Sequence, residues 1–327
     1  MRIERTRMAF FPASRRITGE IRTFLSSPRF STGSPPPQDS AWPRISVITP
    51  SFNQVEFLER TIISVHNQEY PNFEHIVIDG GSTDGSVDII KRYGKVLKYW
   101  HSRPDRGQCD AINMGADIAT GRFMTWINSD DLLLPGALMK VGTVIRDNPG
   151  LDLVYGNQVE IDRNDVVTKR VFTVDFDIYD FLYEVNIIIK QQSAFWNADL
   201  FERIGGLNDC PYAMDYDLFY RMFGQGMRYR RLDDFLSAFR VYPESLTGSG
   251  EVNRSRGDTV DTIFADYLGR ERGLLDRTVI KAWYKTRRFA KEPRAFAAAL
   301  EHRLGRLSGR LRKTARRLKV HSSSSDS

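Results

Sequence analysis

The sequence predicts an α/β fold in which a mostly parallel sheet, flanked by helices, leads into a mixed second half. Between residues 45 and 131, short apolar segments alternate four times with segments whose apolar residues recur every three or four positions. That alternation is typical of βαβ units with right-handed crossovers. After about residue 150, strand-like segments follow one another without intervening helices, and we therefore expect a mixed sheet there.

The elements of the first half are bounded by turn and capping residues. His75–Asp79 ends in an acid followed by two glycines, and Gly121 ends the helix that precedes the fourth strand. The predicted strands are 45–49, 75–79, 96–100 and 123–128, and the predicted helices are 55–65, 87–93, 108–118 and 135–146.

In the second half the same signals are shorter and more widely spaced. The predicted strands are 153–155, 166–174, 192–196, 229–232 and 238–242, and the predicted helices are 200–204, 214–223 and 259–268. The polar, glycine-containing segment 247–258 is predicted to be a mobile loop.

Composition indicates a soluble globular protein. Of 327 residues, 41% are hydrophobic and 27% are charged, and no run of 18 apolar residues predicts a membrane-spanning helix. The apolar cluster at residues 8–11 is too short for a signal peptide. Cys109 and Cys210 match no disulfide or metal framework, and the five histidines lack ligand spacing. A reducing cytoplasm is the compartment expected, and a zinc site is not expected.

The net charge of +6 conceals a strong asymmetry. Residues 1–44 carry 8 Lys/Arg against 3 Asp/Glu, and residues 277–327 carry 15 against 3, which leaves −11 for the middle of the chain. An acidic core argues against nucleic-acid binding, although the basic tail alone leaves that alternative open to a salt-dependence test. The basic ends suit peripheral contact with an anionic membrane at its inner face.

Three regions follow from these patterns. Residues 1–44 are a basic arm, predicted to be flexible, in which a short amphipathic helix near 17–24 and a disordered tail are equally compatible with the sequence. Residues 45–245 form the main domain. Residues 246–327 are a basic helical extension with a disordered end. One face of its last helix suits a membrane surface, or equally packing on its own domain or a twin subunit; this face carries Leu300, Leu304, Leu307, Leu311 and Leu318.

Two adjacent carboxylates follow the fourth strand. Asp130 and Asp131 stand where ligands bind in open α/β sheets, at the carboxyl end of a buried strand. Such a pair can hold a hard cation, and the cation can hold a diphosphate. A pair of acids capping a helix after residue 131 is an equally good interpretation from these residues alone.

Other ways of holding a nucleotide are disfavoured. No Gly-x-Gly-x-x-Gly follows the first strand, which argues against a dinucleotide dehydrogenase, and the chain contains no P-loop motif. A carboxylate-plus-cation site for phosphates remains.

Five segments, in this order, resemble family 2 glycosyltransferases with the GT-A fold. They are Val47–Asn53, Ile78–Gly85, Asp105–Gly115, Trp126–Asp131 and Ala213–Leu218. The resemblance covers about residues 45–245 and excludes both tails. It implies a nucleotide-binding half at about 45–131 and an acceptor half at about 132–245.

The resemblance assigns roles at the donor end. Asp79 corresponds to the carboxylate that meets the nucleobase, with a turn-stabilising Asp as the alternative. Thr49, Pro50 and Asn53 line the same pocket, partly through backbone, and helix capping by Asn53 is compatible with that role. Arg106 approaches the diphosphate, unless it is an exposed loop residue.

The same resemblance assigns the metal and the base. Residues 128–131 match the Asp-x-Asp motif, with Asn128 in place of the first acid and suited to the ribose or to a water. Asp130 and Asp131 then hold Mg²⁺ or Mn²⁺. Asp215 corresponds to the catalytic base, although Met214 stands where the family often has an acid, and an acid favoured at a helix N-terminus is the alternative. The segment 190–196 is compatible with an acceptor site or with a structural role.

The function implied is an inverting transfer of sugar from a nucleoside-diphosphate sugar to the hydroxyl of a glycan or lipid-linked acceptor, in surface-polysaccharide or glycoconjugate synthesis. A sugar-1-phosphate nucleotidyltransferase is an alternative, but Pro50–Asn53 is not the Gly-rich, Arg-containing loop that it needs. A non-catalytic nucleotide- or sugar-binding protein would not require both the Asp130–Asp131 pair and Asp215.

Overall fold

The computed structural model describes residues 12–27, 41–183, 188–208, 213–245 and 252–303. Nine strands are described: β1 (Ile45–Ser51), β2 (Phe73–Asp79), β3 (Tyr99–Ser102), β4 (Phe123–Trp126), β5 (Leu132–Leu133), β6 (Leu153–Ile161), β7 (Val167–Val171), β8 (Ala194–Asn197) and β9 (Tyr229–Arg240). The described helices are α1 (Pro12–Ser26), α2 (Leu58–His66), α3 (Ser86–Tyr93), α4 (Gln108–Ile118), α5 (Ala137–Asp147), α6 (Ile178–Tyr183), α7 (Ala198–Arg203), α8 (Met214–Gly224), α9 (Val252–Leu268) and α10 (Lys281–Lys291). A 3₁₀ turn at Gln191–Ser193 and a π-helical turn at Asp276–Ile280 adjoin β8 and α10, and residues 293–303 are also helical.

The first half is the predicted parallel sheet. Its strands lie in the order β3-β2-β1-β4, and every pair within that order is parallel. Ser51 at the end of β1 lies opposite Asp79 at the end of β2, and Ile48 lies opposite Trp126 at the end of β4. The three carboxyl ends therefore lie along one edge.

The second half is mixed, as predicted. Strand β8 is antiparallel to both β4 and β6, while β6 is antiparallel to β7 and parallel to β9. The prediction of separate strands at 229–232 and 238–242 is wrong, because β9 runs unbroken between them. The pairing with β6 shifts register around Asn157, and this irregularity accommodates Asp233 and Asp234 within the strand.

Helices cover both faces of the sheet, and alternate residues of β1 pack against them on opposite sides. Val47 packs with Leu138 and Val141 of α5, whereas Ile48 packs with Ile112 of α4. Helix α4 approaches β1 closely, since a Cβ added at Gly115 would lie 2.5 Å from the Ile48 Cγ2 atom. The absence of a side chain at Gly115 thus allows α4 to pack closely on β1.

The third strand begins three residues later than predicted. Val96 and Leu97 are buried, but they lie in a turn that continues from α3, and both their amides donate to the Tyr93 carbonyl oxygen. Their apolar side chains pack under α2 and α3 instead of entering the sheet.

Part of the basic arm is a helix that packs on the domain. Ile17 and Ile21 of α1 are buried against Leu134 and Val159, and the Val167 amide donates to the Thr18 hydroxyl at 3.0 Å. Of the two interpretations of this region, the structure shows the helix. Residues 1–11 and 28–40 lie outside the described residues.

The extension after the main domain is mainly helical where it is described. Helix α9 begins at Val252, so the prediction of a loop is wrong over 252–258. Val260, Ile263 and Phe264 are buried farther along α9. Once these residues hold the helix, extending it through residues 252–258 costs little free energy, although several of them are weak helix formers. The predicted leucine face beyond Leu300 lies outside the described residues. Among the helices that the structure describes, none is long and apolar enough to span a membrane.

Two buried histidines lie behind the ends of β1 and β2. The rings of His66 and His75 are 5.3 Å apart, and His75 Nε2 is 2.9 Å from the Thr49 hydroxyl. Burial lowers the pKa of His66 to about 4. Burial, together with His66, lowers the pKa of His75 well below its ordinary value. The native state therefore keeps both rings neutral.

We expect the free energy of unfolding to fall as pH decreases from 6.5 towards 4, because unfolded His66 binds a proton that native His66 does not. The contribution is present above the unfolded pKa and is lost through this window. For His66 it amounts to roughly 3 kcal/mol. Urea denaturation at about pH 7.5 and about pH 5 measures the part of this loss that falls above pH 5, roughly 2 kcal/mol.

His66→Gln should reduce this pH dependence without abolishing it, because burial also lowers the pKa of His75. An equal slope in wild type and His66→Gln would contradict the assignment.

Candidate active site

The loops that follow β1, β2 and β4 meet at the carboxyl edge of the sheet. The amide of Ile127 donates to the Ile48 carbonyl oxygen at 2.9 Å, which carries the β1–β4 pairing to the start of the acidic turn. Ligands bind at this edge in open α/β sheets. The predicted donor-site residues on these three loops are therefore brought together.

Asn128–Asp131 form a tight turn held by buried hydrogen bonds. The Asp131 amide donates to the Asn128 carbonyl oxygen at 2.9 Å. The Thr61 hydroxyl lies 2.9 Å from the Ser129 carbonyl oxygen and 2.8 Å from that of Asp131. The helix-cap interpretation of the two acids is wrong, because β5 follows them directly and α5 begins only at Ala137.

Asp131 faces the protein interior. Its side chain is fully buried, Oδ1 accepts a hydrogen bond from the Arg240 amide at 2.8 Å, and Oδ2 accepts one from Asn128 Nδ2 at 3.1 Å. Both carboxylate oxygens are thus engaged within the protein. Asp131 therefore stabilises the conformation of the turn.

Asp130 faces the edge of the sheet and is partly exposed. Its Oδ2 accepts a hydrogen bond from the Tyr242 hydroxyl at 3.1 Å. Of the two predicted metal ligands, Asp130 is the one whose side chain is partly exposed at this edge.

The electrostatics of the turn suit a cation. Burial raises the pKa of Asp130, and burial together with the adjacent Asp130 raises the pKa of Asp131 well above its ordinary value. A divalent ion would stabilise the charged forms. Among the described residues, no three His, Cys, Asp or Glu side chains form a metal cage. Mg²⁺ is commonly held by one or two carboxylates together with substrate phosphates, and Asp130 fits that arrangement.

Asn128 links the turn to α4. Its Oδ1 accepts a hydrogen bond from Gln108 Nε2 at 2.6 Å. Sequence reasoning missed Gln108. Its position at the start of the helix after β3, near the same edge, was the available signal.

Asp79 is fully buried and holds the loop after β2. Its Oδ2 accepts hydrogen bonds from the amides of Gly81 and Ser82 and from the Ser102 hydroxyl, and its Oδ1 accepts one from the Ser82 hydroxyl. The four donors match the turn-stabilising alternative. The predicted contact with a nucleobase remains a prediction.

Hydrogen bonds join the loop after β1 to the loop after β2. Asn53 has a left-handed backbone (φ 51°), its amide donates to the Ser82 hydroxyl at 2.8 Å, and its Oδ1 accepts from the Thr83 amide at 2.9 Å. Helix capping by Asn53 is wrong, since α2 begins at Leu58 and has no side-chain cap. Phe52 was missed by sequence reasoning, and its side chain is 61% exposed at this edge.

Thr49 and Pro50, the other two predicted pocket residues, are buried in β1. The Thr49 hydroxyl contacts His75 rather than the edge, so only the backbone of this segment is placed to line a pocket.

Arg106 precedes α4 and pairs with Asp110. Its guanidinium lies 2.6 Å from the Asp110 carboxylate, and its side chain is 86% exposed. Asp110 also accepts from the Arg106 amide, so it braces this loop. Asn113, one turn farther on, instead bonds both backbone polar groups of Leu207.

Asp215 lies in the first turn of α8, which adjoins α4. The Met214 and Cys109 sulfur atoms are 3.3 Å apart, so the start of α8 meets the start of α4 beside Gln108. Asp215 Oδ1 accepts from the Tyr216 amide at 3.1 Å. Asp217 points elsewhere and pairs with Arg221 at 2.7 Å.

The segment 190–196 supports the site from within. Gln191 is buried and donates to the Trp126 carbonyl oxygen at 2.7 Å. Trp196 is fully buried, with its ring 5.1 Å from that of Trp126. Both side chains have the structural role that was left open.

The family model described as "Glycosyl transferase family 2" matches residues 46–207. An uncharacterized glycosyltransferase of Mycobacterium tuberculosis (strain ATCC 25618 / H37Rv) is 31% identical over 182 residues, which are 55% of this chain and 68% of that protein. The chain belongs to glycosyltransferase family 2. A PGL/p-HBAD biosynthesis glycosyltransferase of Mycobacterium bovis (strain BCG / Pasteur 1173P2) is 32% identical over 183 residues, 54% of this chain and 66% of that protein.

The fold agrees with this membership. The chain is similar to the mannosyltransferase PcManGT from Pyrobaculum calidifontis, solved in complex with GDP-Man and Mn²⁺. The two share 19% sequence identity with a TM-score of 0.54, over 97% of this chain and 91% of that one. The predicted GT-A fold is confirmed.

Replacing Asp79 with Asn should destabilise this edge, because an amide nitrogen would face groups that donate hydrogen bonds. We expect a loss of about 2–3 kcal/mol in the free energy of unfolding and faster hydrogen exchange at the Gly81 and Ser82 amides. Urea denaturation and exchange mass spectrometry measure the two effects.

Asp88→Asn, at an exposed site on α3, should change stability by about 0.5 kcal/mol or less. If Asp79→Asn matched this control in stability yet altered which nucleotide binds, base recognition would be its main role.

Proposed function

We propose that the protein is an inverting glycosyltransferase that moves a sugar from a nucleoside-diphosphate sugar to an acceptor hydroxyl. The observation that carries the proposal is the partly exposed Asp130 carboxylate. It lies at the edge where the loops of β1 and β2 converge and where the Asp215 helix meets α4. Family membership supplies the reaction class.

The nucleotide is proposed to bind across the loops after β1 and β2. The loop that Asp79 holds, the backbone of Thr49 and Pro50, and Asn53 form its wall, and exposed Phe52 offers an apolar face to a base. Asn128 is proposed to meet the ribose. Arg106 is long and exposed enough to reach phosphates, although it must first leave Asp110.

Asp130 is the proposed metal ligand, and Asp131 positions it through the turn. When bound, Mg²⁺ or Mn²⁺ would neutralise charge on the diphosphate leaving group. The mannosyltransferase PcManGT was solved with GDP-Man and Mn²⁺, which supports a donor and metal of this type.

Asp215 is the proposed general base. Its carboxylate takes the proton of the acceptor hydroxyl, whose oxygen forms a bond to the anomeric carbon as the bond to the diphosphate oxygen breaks on the opposite face. Asp215 lies in the first turn of α8, and the N-terminus of a helix favours negative charge.

The acceptor is proposed to be a glycan or lipid-linked glycan in surface-polysaccharide or glycoconjugate synthesis. The relative named for PGL/p-HBAD biosynthesis supports this class of pathway. We place the catalytic domain at 45–245 and the protein in the cytoplasm.

In a nucleotide-release assay with Mn²⁺ and a panel of UDP-, GDP- and dTDP-sugars, Asp130→Ala should abolish release. Asp215→Asn should keep donor binding and lose turnover by a factor of about 10²–10⁴. Asp217→Asn is the matched control on the same helix and should lose stability through Arg221 but keep turnover.

Full activity of Asp215→Asn would exclude it as the base. Absence of both release and metal-dependent nucleotide binding would leave a protein that does not use nucleotide sugars.

We also propose that the C-terminal extension contacts an anionic membrane surface. Leu275, Val279 and Trp283 recur every four residues and are 68%, 63% and 57% exposed. Exposed Lys281 and Lys285 lie on the same helical segment. Apolar side chains with Trp and nearby Lys are typical of helices that lie at a membrane interface.

In vesicle sedimentation, binding should require anionic lipid, and a Leu275→Ser, Val279→Ser, Trp283→Ser triple variant should lose it. Lys281→Gln with Lys285→Gln should weaken binding by about 2 kcal/mol, since each basic residue contributes about 1 kcal/mol. If the triple variant binds normally but changes from dimer to monomer, this face is a contact between copies instead.

A further inference from the structure

The acidic turn belongs to the first half, but much of what holds it comes from the second half. Strand β9 ends at Arg240, and Tyr242 follows two residues later. Both residues contact the Asp130–Asp131 pair directly. Neither was among the predicted site residues, and neither is assigned a role by the comparisons.

Arg240 is a buried cation with several partners. Its side chain is fully buried, Nε donates to the Asp130 carbonyl oxygen at 2.7 Å, and one NH₂ group donates to the Asp162 carbonyl oxygen at 2.8 Å. Its other NH₂ group forms an ion pair with Asp165 at 2.7 Å. The guanidinium also lies 4.7 Å from the centre of the Phe57 ring.

This arrangement fixes the main chain of the turn from two sides. The Arg240 amide donates to the Asp131 carboxylate, and its guanidinium donates to the Asp130 carbonyl oxygen. Both acids of the turn are therefore attached to the end of β9. A buried arginine is costly unless its charge is paired, and here the turn between β6 and β7 supplies the Asp162 carbonyl oxygen and the Asp165 carboxylate.

Tyr242 acts on the side chain that faces the edge. Its hydroxyl donates to Asp130 Oδ2 at 3.1 Å, and this contact fixes the direction in which the carboxylate faces the edge. The Tyr242 ring is itself held, because it packs 5.0 Å from Phe57 and has the Arg163 guanidinium 5.2 Å away. Partners of this kind orient a metal-binding carboxylate and tune its affinity.

We propose that Tyr242 and Arg240 are positioning residues of the Asp130 site: Tyr242 aims the carboxylate at the metal and diphosphate, and Arg240 fixes the turn that carries it. This inference rests on the proposed function. The second half thereby sets the geometry of an ion site whose ligand belongs to the first half.

The test is calorimetric titration of UDP and GDP at a series of Mn²⁺ concentrations and again with EDTA. Tyr242→Phe should raise the Mn²⁺ concentration needed for half-maximal nucleotide binding by about tenfold, with metal-free binding and thermal midpoint unchanged. Arg240→Lys, which keeps the charge but not the donor geometry, should act in the same direction.

Tyr93→Phe is the matched control, because it removes another phenol–carboxylate bond, 2.9 Å long, to Glu59. If Tyr242→Phe behaves like Tyr93→Phe while Asp130→Asn abolishes the Mn²⁺ dependence, the positioning role is wrong and the metal site stands. If Asp130→Asn also leaves the Mn²⁺ dependence intact, the proposed metal site itself fails. A loss of metal-free binding in Tyr242→Phe would indicate general damage and also contradict the inference.

Discussion

The buried carboxylate of Asp131 is the interaction on which the carboxyl edge depends. A fully buried acid is tolerated only when donors satisfy it, and here they come from Asn128 within the turn and from the Arg240 amide at the end of β9. The hydrogen bond from the Arg240 amide ties the turn after β4 to the end of β9. It also leaves Asp130, the preceding residue, facing the edge of the sheet, where we propose that a ligand binds.

The mixed sheet makes this connection possible. Strand β9 runs parallel to β6 and antiparallel to β5, so its end reaches the turn between β4 and β5. On the other side of the turn, α4 contributes Gln108 to Asn128 and also receives the start of α8 with Asp215. The elements that we propose to bind donor and acceptor therefore both contact α4.

Much of this arrangement was predictable, and the failures have physical causes. Periodicity located α4 from Gln108 to Ile118, and strong local signals located β1 and β2. It could not show that Val96 and Leu97 pack sideways under a helix, because burial looks the same in a turn as in a strand. Nor could it find Arg240 and Tyr242, whose partners in the acidic turn are more than a hundred residues away in the sequence.

The same limit explains why two adjacent acids could not be told apart. Asp130 and Asp131 are the same residue type in the sequence. Only the hydrogen-bond donors around them distinguish Asp130, the proposed metal ligand, from Asp131, which stabilises the turn. If one carboxylate is the main protein ligand, a bound metal would draw its other ligands from the diphosphate and from water. Nucleotide and metal must then strengthen each other's binding by the same factor. Whatever orients Asp130 thus affects the affinity for both.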